Sequence, residues 1–334
     1  MNSENSSHFE KPTIYPTLVV GVGGMGTNTV RAVKRRFRNV WGGDQLPGMI
    51  QLMALDTEPL VNRLDQEPLF ADEFADLVFT DPPYNAPING HVRPSSGQFE
   101  EFAEASGEMT TEEFTEFLRS YLAVAKEVTR PGALIYSFMD WRHMREMLAA
   151  VDIVGLDHLN HCIWVKPNGG MGSFYRSRHE QVFVLRHPGA PHTNNVALGA
   201  NGRYRTNVWE YAGATGGRAD EVYDFSLHPT VKPVRLVEDA ILDATAAGET
   251  VFDPFLGSGT TLLAAERTRR RCIGVEFSPA YVDVAIRRWE ALTGGEAIHD
   301  ASGMTFAKRA DTAPAAEDAS ASQDGAPTPE EGDV

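Results

Sequence analysis

The stretch TVFDPFLGSGTTLLAAERTRRRCIGVE occupies residues 250–276 and decides the fold. A short apolar run ends in Asp253, a glycine turn follows, and a helical pattern from Thr260 leads to a second apolar run that ends near Glu276. Strand, turn, helix and strand in this order are typical of a βαβ unit, whose two strands pair in parallel. We therefore predict an α/β protein with its ligands at the carboxyl ends of the strands.

The alternation continues on the N-terminal side and defines a long α/β region over residues 70–307. Apolar runs at 75–80, 133–138, 161–166 and 180–187 read as strands. Thr110 and Glu113 form a possible capping box before a helical pattern, which we expect Pro131–Gly132 to end. A second helix is expected over 279–293, stopped by Gly294. The expected architecture is a doubly wound, mostly parallel sheet.

Composition suggests how the rest of the chain is organised. The 334 residues are 42% hydrophobic and 23% charged, as in an ordinary folded protein. We expect a flexible start over 1–16, a small βαβ unit with a glycine loop over 17–60, and a disordered acidic tail over 308–334, which has almost no large apolar side chain.

Several classes of protein are disfavoured. An apolar run of about 18 residues, as a membrane span needs, is missing, and the first residues lack a secretory pattern. The two cysteines, Cys162 and Cys272, make a disulfide framework or a cysteine zinc site improbable, and we expect no metal. A cytoplasmic protein with no membrane partner is the expectation.

The net charge of −16 does not exclude nucleic acid, because the charge is unevenly distributed. Residues 162–205 carry one acid, Glu180, against a set of cations: Lys166, Arg176, Arg178, Arg186, Arg203 and Arg205. Affinity for a polyanion depends on local fields more than on total charge. The alternative is an ordinary solvated face.

The motif Asp81-Pro82-Pro83-Tyr84-Asn85 directly follows an apolar strand. Proline has a fixed φ and no N–H, so carbonyls on this stiff turn are free to accept hydrogen bonds. A carboxylate, free carbonyls and an aromatic face together suit a planar group with an exocyclic amine, such as a nucleobase. The alternative is a capped strand-to-loop turn.

The glycine turn after Asp253 is the second motif, and it is acidic. It lacks the Gly-Lys-Ser/Thr ending of a phosphate-binding loop, and Asp253 would repel a phosphate. Such a turn better suits an ammonium or sulfonium. Glu276, about twenty residues beyond the turn, is placed to bind ribose hydroxyls, although an exposed acid after a strand is the ordinary alternative.

A third motif, His228-Pro229-Thr230-Val231-Lys232-Pro233, precedes a helical pattern. Lys232 could pair with a carboxylate. A proline-initiated helix is the plainer interpretation.

Taken in order, DPPYN, HPTVKP, DPFLGSGTT and GVEFSP resemble the motifs of the beta-group DNA amino-methyltransferases. The resemblance implies a Rossmann-like methyltransferase fold with circularly permuted motif order. It also implies transfer of a methyl group from S-adenosylmethionine to adenine-N6 or cytosine-N4 in DNA. The DPPY form favours adenine.

The resemblance also implies roles for individual residues. Asp81 and the Pro82 carbonyl would accept from the amine and Tyr84 would stack on the base, with Pro83 and Asn85 completing the catalytic motif. The expected cofactor residues are Asp253, Phe255, Gly257, Ser258, Gly259 and Thr260 around the methionine part, Glu276 at the ribose, and Thr230 and Lys232 near the carboxylate.

DNA binding is expected at two places. The motif order points to residues 188–227 as the target-reading region, with Arg203 and Arg205 as the leading candidates for contact, and Arg176 and Arg178 lie in the same basic stretch. A polar surface loop is the alternative. The target base must be flipped out of the duplex, because a paired base cannot reach the site.

The N-terminal glycine loop, residues 21–28, carries a competing signal. With its strand and helix it resembles the start of tubulin-like GTPases, over about 45 residues and without their later glycine-rich loop. A structural βαβ remnant, a nucleotide contact and a primary cofactor site are the three interpretations.

The leading hypothesis is a DNA adenine-N6 methyltransferase of a restriction-modification type. Cytosine-N4 transfer or an RNA substrate is the alternative of the same class. A tubulin-like nucleotide-binding scaffold with an inactive methylase part is the alternative of another class. A partner endonuclease and the oligomeric state stay open.

Overall fold

The computed structural model describes residues 74–85, 107–169, 174–212, 231–276, 278–299 and 304–308. Its main sheet consists of β1 (Ala75–Thr80), β2 (Thr129–Met139), β3 (Asp157–Val165), β4 (His179–Arg186), β5 (Val208–Glu210), β6 (Thr250–Asp253) and β7 (Arg271–Gly274). The helices are α1 (Thr111–Glu127), α2 (Met144–Val154), α3 (Val234–Ala244), α4 (Thr260–Thr268) and α5 (Pro279–Thr293). A small hairpin pairs β8 (Ile298–His299) with β9 (Met304–Thr305).

The seven strands lie in the order β5-β3-β4-β2-β1-β6-β7. Every neighbouring pair is parallel except the two that involve β4, which runs against both β2 and β3. The carboxyl ends of the other six strands therefore share one edge with the amino end of β4. The central neighbours β1 and β6 bring the two halves of the chain together in the middle of that edge.

The sheet is covered on both faces, as a doubly wound fold requires. Side chains alternate between the faces along β1, so that Leu77 and Phe79 pack with α3 and α4, whereas Val78 packs with α1 and α2. Trp289 of α5 joins the first of these cores. Cys162 and Cys272 are free thiols buried in that core. The predicted α/β class is confirmed.

Helix α1 begins at the predicted capping box. The Thr110 hydroxyl accepts from the Glu113 N–H, and the Glu113 carboxylate accepts from the Thr110 N–H at 2.8 Å. Both contacts satisfy donors that the first turn would leave without partners.

Replacing Thr110 by alanine is expected to lower the free energy of unfolding by about 1 kcal/mol, because the cap is lost. Chemical denaturation measures the difference. Thr111→Ala is the matched control, since this exposed neighbour lies inside the helix. An equal loss in both variants would contradict the capping role.

The predicted end of α1 was wrong. The helix ends at Glu127, and Pro131–Gly132 lies within β2. The Thr129 hydroxyl donates to the Ala125 carbonyl at 2.8 Å and closes the last turn, after which the chain pairs with β1. The register between β1 and β2 shifts at this point, where Pro131 has no N–H to donate.

Three predicted regions lie outside the described residues: the start over 1–16, the glycine-loop unit over 17–60, and all of the acidic tail over 308–334 except Lys308. Among the residues that the structure describes, no helix is long and apolar enough to cross a bilayer.

Candidate active site

The two leading motifs meet where β1 and β6 end side by side. Leu77 pairs with Val251 and Val78 with Phe252, so Thr80 and Asp253 lie at the same level of the sheet. The Thr80 hydroxyl donates to Asp253 Oδ1 at 2.9 Å. Asp81 is the next residue along the chain, so the carboxylates of the two motifs face one site although they are far apart in sequence.

Asp81 belongs to a cluster of four charged side chains and one phenol. Its carboxylate accepts from the Tyr84 hydroxyl and from the Lys232 ammonium. Lys232 also lies 3.2 Å from Glu180 Oε2, and the Lys166 ammonium donates to the other Glu180 oxygen. The Tyr84 hydroxyl is 3.2 Å from Glu180 Oε2. We call Asp81, Tyr84, Lys166, Glu180 and Lys232 the charged cluster.

The topology explains this assembly. Lys166 follows the last residue of β3, whereas Glu180 is the second residue of β4, and the reversed direction of β4 brings both to the same edge. The backbone between them is fastened by the Lys166 N–H, which donates to the Arg178 carbonyl at 2.7 Å. Lys232 reaches the cluster from the segment just before α3.

Burial and charge act against each other in the cluster. Burial raises the pKa of Asp81 above its usual value, although Lys232 opposes the rise. Burial also favours a neutral Glu180, but Lys232 and Lys166 outweigh it and lower the pKa of Glu180 to about 2. Burial tends to lower the pKa of Lys232, yet Asp81 and Glu180 raise it. The cluster thus pairs two amine side chains with two carboxyl side chains.

Lys232 is enclosed more tightly than its partners. Its side chain is 8% exposed, against 25% for Asp81. Its ammonium lies 5.0 Å from the centre of the Phe138 ring and 5.8 Å from those of Tyr84 and Trp164. Aromatic faces attract a cation at such distances. The Asp81 carboxylate is thus partly accessible to a ligand, whereas the Lys232 ammonium is enclosed by protein.

The glycine turn beside the cluster is shaped around Asp253. The carboxylate accepts from the Thr261 hydroxyl at 2.6 Å and from the Phe255 N–H at 3.1 Å. Burial raises the pKa of Asp253 to about 7, despite these hydrogen bonds. Gly259 has φ of 84°, and a Cβ there would lie 2.7 Å from the Ala285 Cβ, so only glycine fits the close approach to α5.

The remaining predicted cofactor residues surround the same turn. Glu276 accepts from the Gly257 N–H at 2.7 Å and from the Ser278 N–H at 2.8 Å, which ties β7 to the turn. The Ser258 hydroxyl accepts from Arg288 of α5 at 2.9 Å. Phe255 packs against the aromatic rings of α1, and Thr260 begins α4. Thr230 lies outside the described residues.

Comparison with known proteins agrees with this arrangement. The profile of a family described as DNA methylase, covering N6 and N4 amino-methyltransferases, matches residues 75–287. The chain belongs to this family. It is 31% identical to the type II methyltransferase M2.DpnII of Streptococcus pneumoniae over 230 residues, which are 66% of this chain and 84% of that protein.

Two further proteins are similar to this chain. The type II methyltransferase M2.LlaDCHI of Lactococcus lactis subsp. cremoris is 28% identical over 227 residues, or 65% of this chain and 82% of that protein. The structure of the PvuII DNA methyltransferase, a cytosine-N4-specific enzyme, superposes with a TM-score of 0.53 at 20% identity, covering 71% of this chain and 86% of that one. The latter similarity concerns the fold.

A DNA methylase of this family uses S-adenosylmethionine, and the glycine turn fits that ligand. In the part of the chain that the structure describes, the hydrogen-bond partners of Asp253 are two hydroxyls and an N–H, without a cation. A buried carboxylate with a raised pKa is stabilised by a bound positive charge. Each oxygen of the Glu276 carboxylate accepts from a backbone N–H group, which fixes the carboxylate beside the turn.

Asn85 does not face the site, contrary to its predicted place in the catalytic motif. Its amide donates to the Met109 carbonyl at 2.8 Å and accepts from the N–H groups of Gly107 and Met109. Its φ is 50°, and its side chain fastens the segment that leads to α1. Pro82 is buried and Pro83 is half-buried beside Tyr84, as a stiff turn requires.

Arg203 and Arg205, the leading candidates for DNA contact, are ion-paired instead. Arg203 and Arg205 donate to opposite oxygens of Asp243 at 2.7 and 2.9 Å. Asp243 is in the last turn of α3, so this contact lies about 14 Å along the helix from its first residue, Val234, which follows the segment that carries Lys232. These ion pairs attach residues 203–211 to α3. The position of the two arginines therefore does not support the predicted DNA contact.

Arg176 and Arg178 are the other two arginines that were predicted to contact DNA. Both are exposed, in the loop between β3 and β4, and the described residues offer neither guanidinium a carboxylate. Phe174 and Tyr175, which the sequence analysis left out, are 86% and 82% exposed in the same loop. We call residues 174–178 the aromatic-basic loop. Residues 213–227 of the predicted target-reading region lie outside the described residues.

Sequence reasoning missed four residues that hold the site together: Thr80, Thr261, Lys166 and Glu180. The two threonines follow or precede predicted motif positions, so a search for hydroxyls next to the buried acid could have found them. Glu180 was visible only as the single acid of a basic stretch. In the described ranges, no group of His, Cys, Asp or Glu is arranged to hold a metal ion.

Proposed function

We propose that this DNA methylase transfers a methyl group to the N6 amine of adenine in DNA. The observation that carries the proposal is the partly exposed Asp81 carboxylate beside the acidic glycine turn, with Tyr84 three residues on. S-adenosylmethionine supplies a methyl group on a positively charged sulfur. An acceptor for the amine and a site for a cation are thereby neighbours.

Asp81 would act on the amine by accepting an N–H hydrogen bond. The lone pair of an adenine amine is delocalised into the ring, so the nitrogen is a poor nucleophile. A carboxylate that accepts a hydrogen bond from the amine N–H favours the tetrahedral form of the nitrogen. It also stabilises the positive charge that develops on the nitrogen during the reaction. The Pro82 carbonyl is the second acceptor that the stiff turn offers, and Tyr84 supplies a stacking face.

The Tyr84 side chain has to move before Asp81 can accept from the amine and the phenol can stack on the base. The Tyr84 hydroxyl donates to Asp81 Oδ1, an oxygen that would also accept from the amine. Rotation of the phenol toward the incoming base would free this acceptor and form the stack at the same time. The remaining cofactor residues are proposed on family resemblance and on the glycine turn described above: Phe255, Gly257, Ser258, Gly259, Thr260, Glu276 and Thr230.

Incubation of the full chain with labelled S-adenosylmethionine and mixed-sequence duplex DNA tests the proposal. Mass spectrometry of the nucleosides should find N6-methyladenine, and mapping of modified positions should give one recognition sequence. Label confined to N4-methylcytosine would make cytosine the substrate. Label in RNA but not in DNA, or in neither, would contradict the proposal.

Cytosine-N4 transfer is the second candidate, because the fold is shared with a cytosine-N4-specific enzyme and the charged cluster presents the same acceptors to either amine. The similarity to two type II methyltransferases supports a place in a restriction-modification system, whose recognition sequence this enzyme would protect.

We further propose that the aromatic-basic loop holds the DNA. Replacing both Arg176 and Arg178 by alanine should weaken DNA binding and reduce the slope of log K against log [salt] by about 2, because each phosphate contact contributes about 0.9. Binding measured at four salt concentrations gives the slope. Arg287→Ala, which removes a surface arginine paired with Asp283, is the control and should leave the slope unchanged. An equal slope in all three proteins would rule out this loop.

A further inference from the structure

We propose that Lys232 is a positioning residue that keeps the Asp81 carboxylate ionised and turned toward the amine, and that Glu180 and Lys166 hold Lys232 in place. The inference rests on the proposed function, because it concerns how Asp81 works. It also differs from the family expectation stated above, which puts Lys232 near the carboxylate of the cofactor.

The contacts of the Lys232 ammonium carry the inference. The ammonium donates to Asp81 Oδ2 and lies 3.2 Å from Glu180 Oε2, so two protein carboxylates already share it. Three aromatic rings enclose it on other sides, and the side chain is 8% exposed. An ammonium enclosed in this way has little freedom to leave Asp81 for another partner.

The charges around Asp81 show why it needs that cation. Among the described residues, three titratable groups other than Lys232 face it: Glu180 from β4, Tyr84 from its own turn, and Asp253 from β6. None of the three is ever cationic, and Glu180 and Asp253 repel a charged Asp81. Without Lys232, burial and like charge would both favour the protonated acid. A protonated Asp81 donates on one oxygen and is a weaker acceptor on the other, so the amine would lose its partner.

Glu180 and Lys166 hold the Lys232 ammonium in one position. Lys166 donates to Glu180 Oε1, which leaves Oε2 for Lys232, and Lys166 also lies 4.8 Å from the centre of the Trp164 ring. Because Lys166 and Glu180 stand on paired strands, their contact fixes the carboxylate in one orientation. Lys232 is thereby held between two acids at the point where it meets Asp81.

The test is the pH dependence of methyl transfer in a single turnover, between pH 5 and pH 9. Activity requires ionised Asp81, so it falls as pH drops through the pKa of that group. In Lys232→Met this acid limb should move up by at least about one pH unit, which approaches a tenfold loss of rate at pH values below the limb and leaves the rate above it unchanged. Lys232→Arg keeps the charge and should keep the limb close to that of the native chain.

Two further variants separate electrostatics from loss of structure. Adding Glu180→Gln to Lys232→Met removes the nearest like charge, so the acid limb should move part of the way back, which a damaged fold would not do. Lys166→Met changes a side chain that is one-third exposed, and it should give a smaller upward shift of the acid limb. This variant replaces Lys232→Met in the test if Lys232→Met does not fold.

The affinity for S-adenosylmethionine, measured by calorimetry, distinguishes the two roles of Lys232. We expect the dissociation constant of Lys232→Met to stay within about twofold of the native value. A tenfold weaker affinity with an unmoved acid limb would assign Lys232 to the cofactor and overturn the inference, as would a uniform loss at every pH. A native chain that methylates no DNA would instead contradict the proposed function.

Discussion

Replacing Asp81 by alanine is expected to lower the rate of methyl transfer by about 10³-fold or more while leaving the affinity for S-adenosylmethionine within about twofold. In the proposed function Asp81 would meet the amine as positive charge develops there, whereas the glycine turn between β6 and α4 would hold the cofactor. Single-turnover transfer and calorimetry measure the two quantities on the same protein.

Asp140→Ala is a matched control for that experiment. Asp140 follows β2 at the same edge of the sheet, and its side chain is 22% exposed, close to the 25% of Asp81. It caps the short helical turn at Trp141–His143 by accepting from the Arg142 N–H, and it has no place in the charged cluster. Near-normal transfer by Asp81→Ala, or equal losses in both variants, would remove Asp81 from the reaction.

The second large effect is expected at Asp253. Asp253→Asn preserves shape but removes the charge, so affinity for S-adenosylmethionine should fall by about 10–100-fold, the usual value of a hydrogen bond to a charged group. Asparagine can still meet the hydroxyls of Thr80 and Thr261, because a hydroxyl donates or accepts. The loss therefore reports on charge more than on packing.

The pH dependence of cofactor affinity is a second test of the role of Asp253. Burial raises the pKa of Asp253 to about 7 in the unliganded protein, and a cationic ligand binds the ionised form. Affinity should therefore rise with pH up to about 7 and level off above it, whereas the Asp253→Asn profile should lack this step. An identical step in both proteins would mean that another group titrates.

The same shift has a consequence for stability, which checks that Asp253→Asn folds. A carboxyl whose folded pKa is raised contributes stability in its protonated form below its unfolded pKa, and that contribution is lost as pH rises through about 7. Above pH 7 the unliganded native protein holds a buried charge that the variant lacks. The midpoint of thermal unfolding of the variant at pH 8 should accordingly be no lower than that of the native chain.

The sequence was sufficient where local chemistry determines the structure. The capping box at Thr110, the end of α5 at Gly294 and the βαβ unit around Asp253 all follow from short-range preferences, and the structure has them as predicted. The meeting of Asp81 with the glycine turn was also predictable, because parallel strands end at one edge of a sheet.

Long-range pairing of charges was not predictable from residue types. Arg203 and Arg205 looked like the DNA-reading cations of a basic stretch, but Asp243 is opposite them in the fold. Glu180 looked incidental until the reversed strand β4 placed it beside Lys232. Asn85 shares its motif with Asp81, yet its positive φ turns its amide to the backbone of 107–109. Sequence shows which groups carry charge, and only the fold shows which of them meet.

The hairpin of β3 and β4 joins two places that would otherwise be independent. Its loop carries Arg176 and Arg178, and the strands at its base carry Lys166 and Glu180. If the proposed DNA contact displaced this hairpin, the displacement would reach Glu180, and through Lys232 it would reach the proton affinity of Asp81. Thermodynamic reciprocity then applies: whatever factor DNA imposes on that proton equilibrium, protonation imposes on the affinity for DNA.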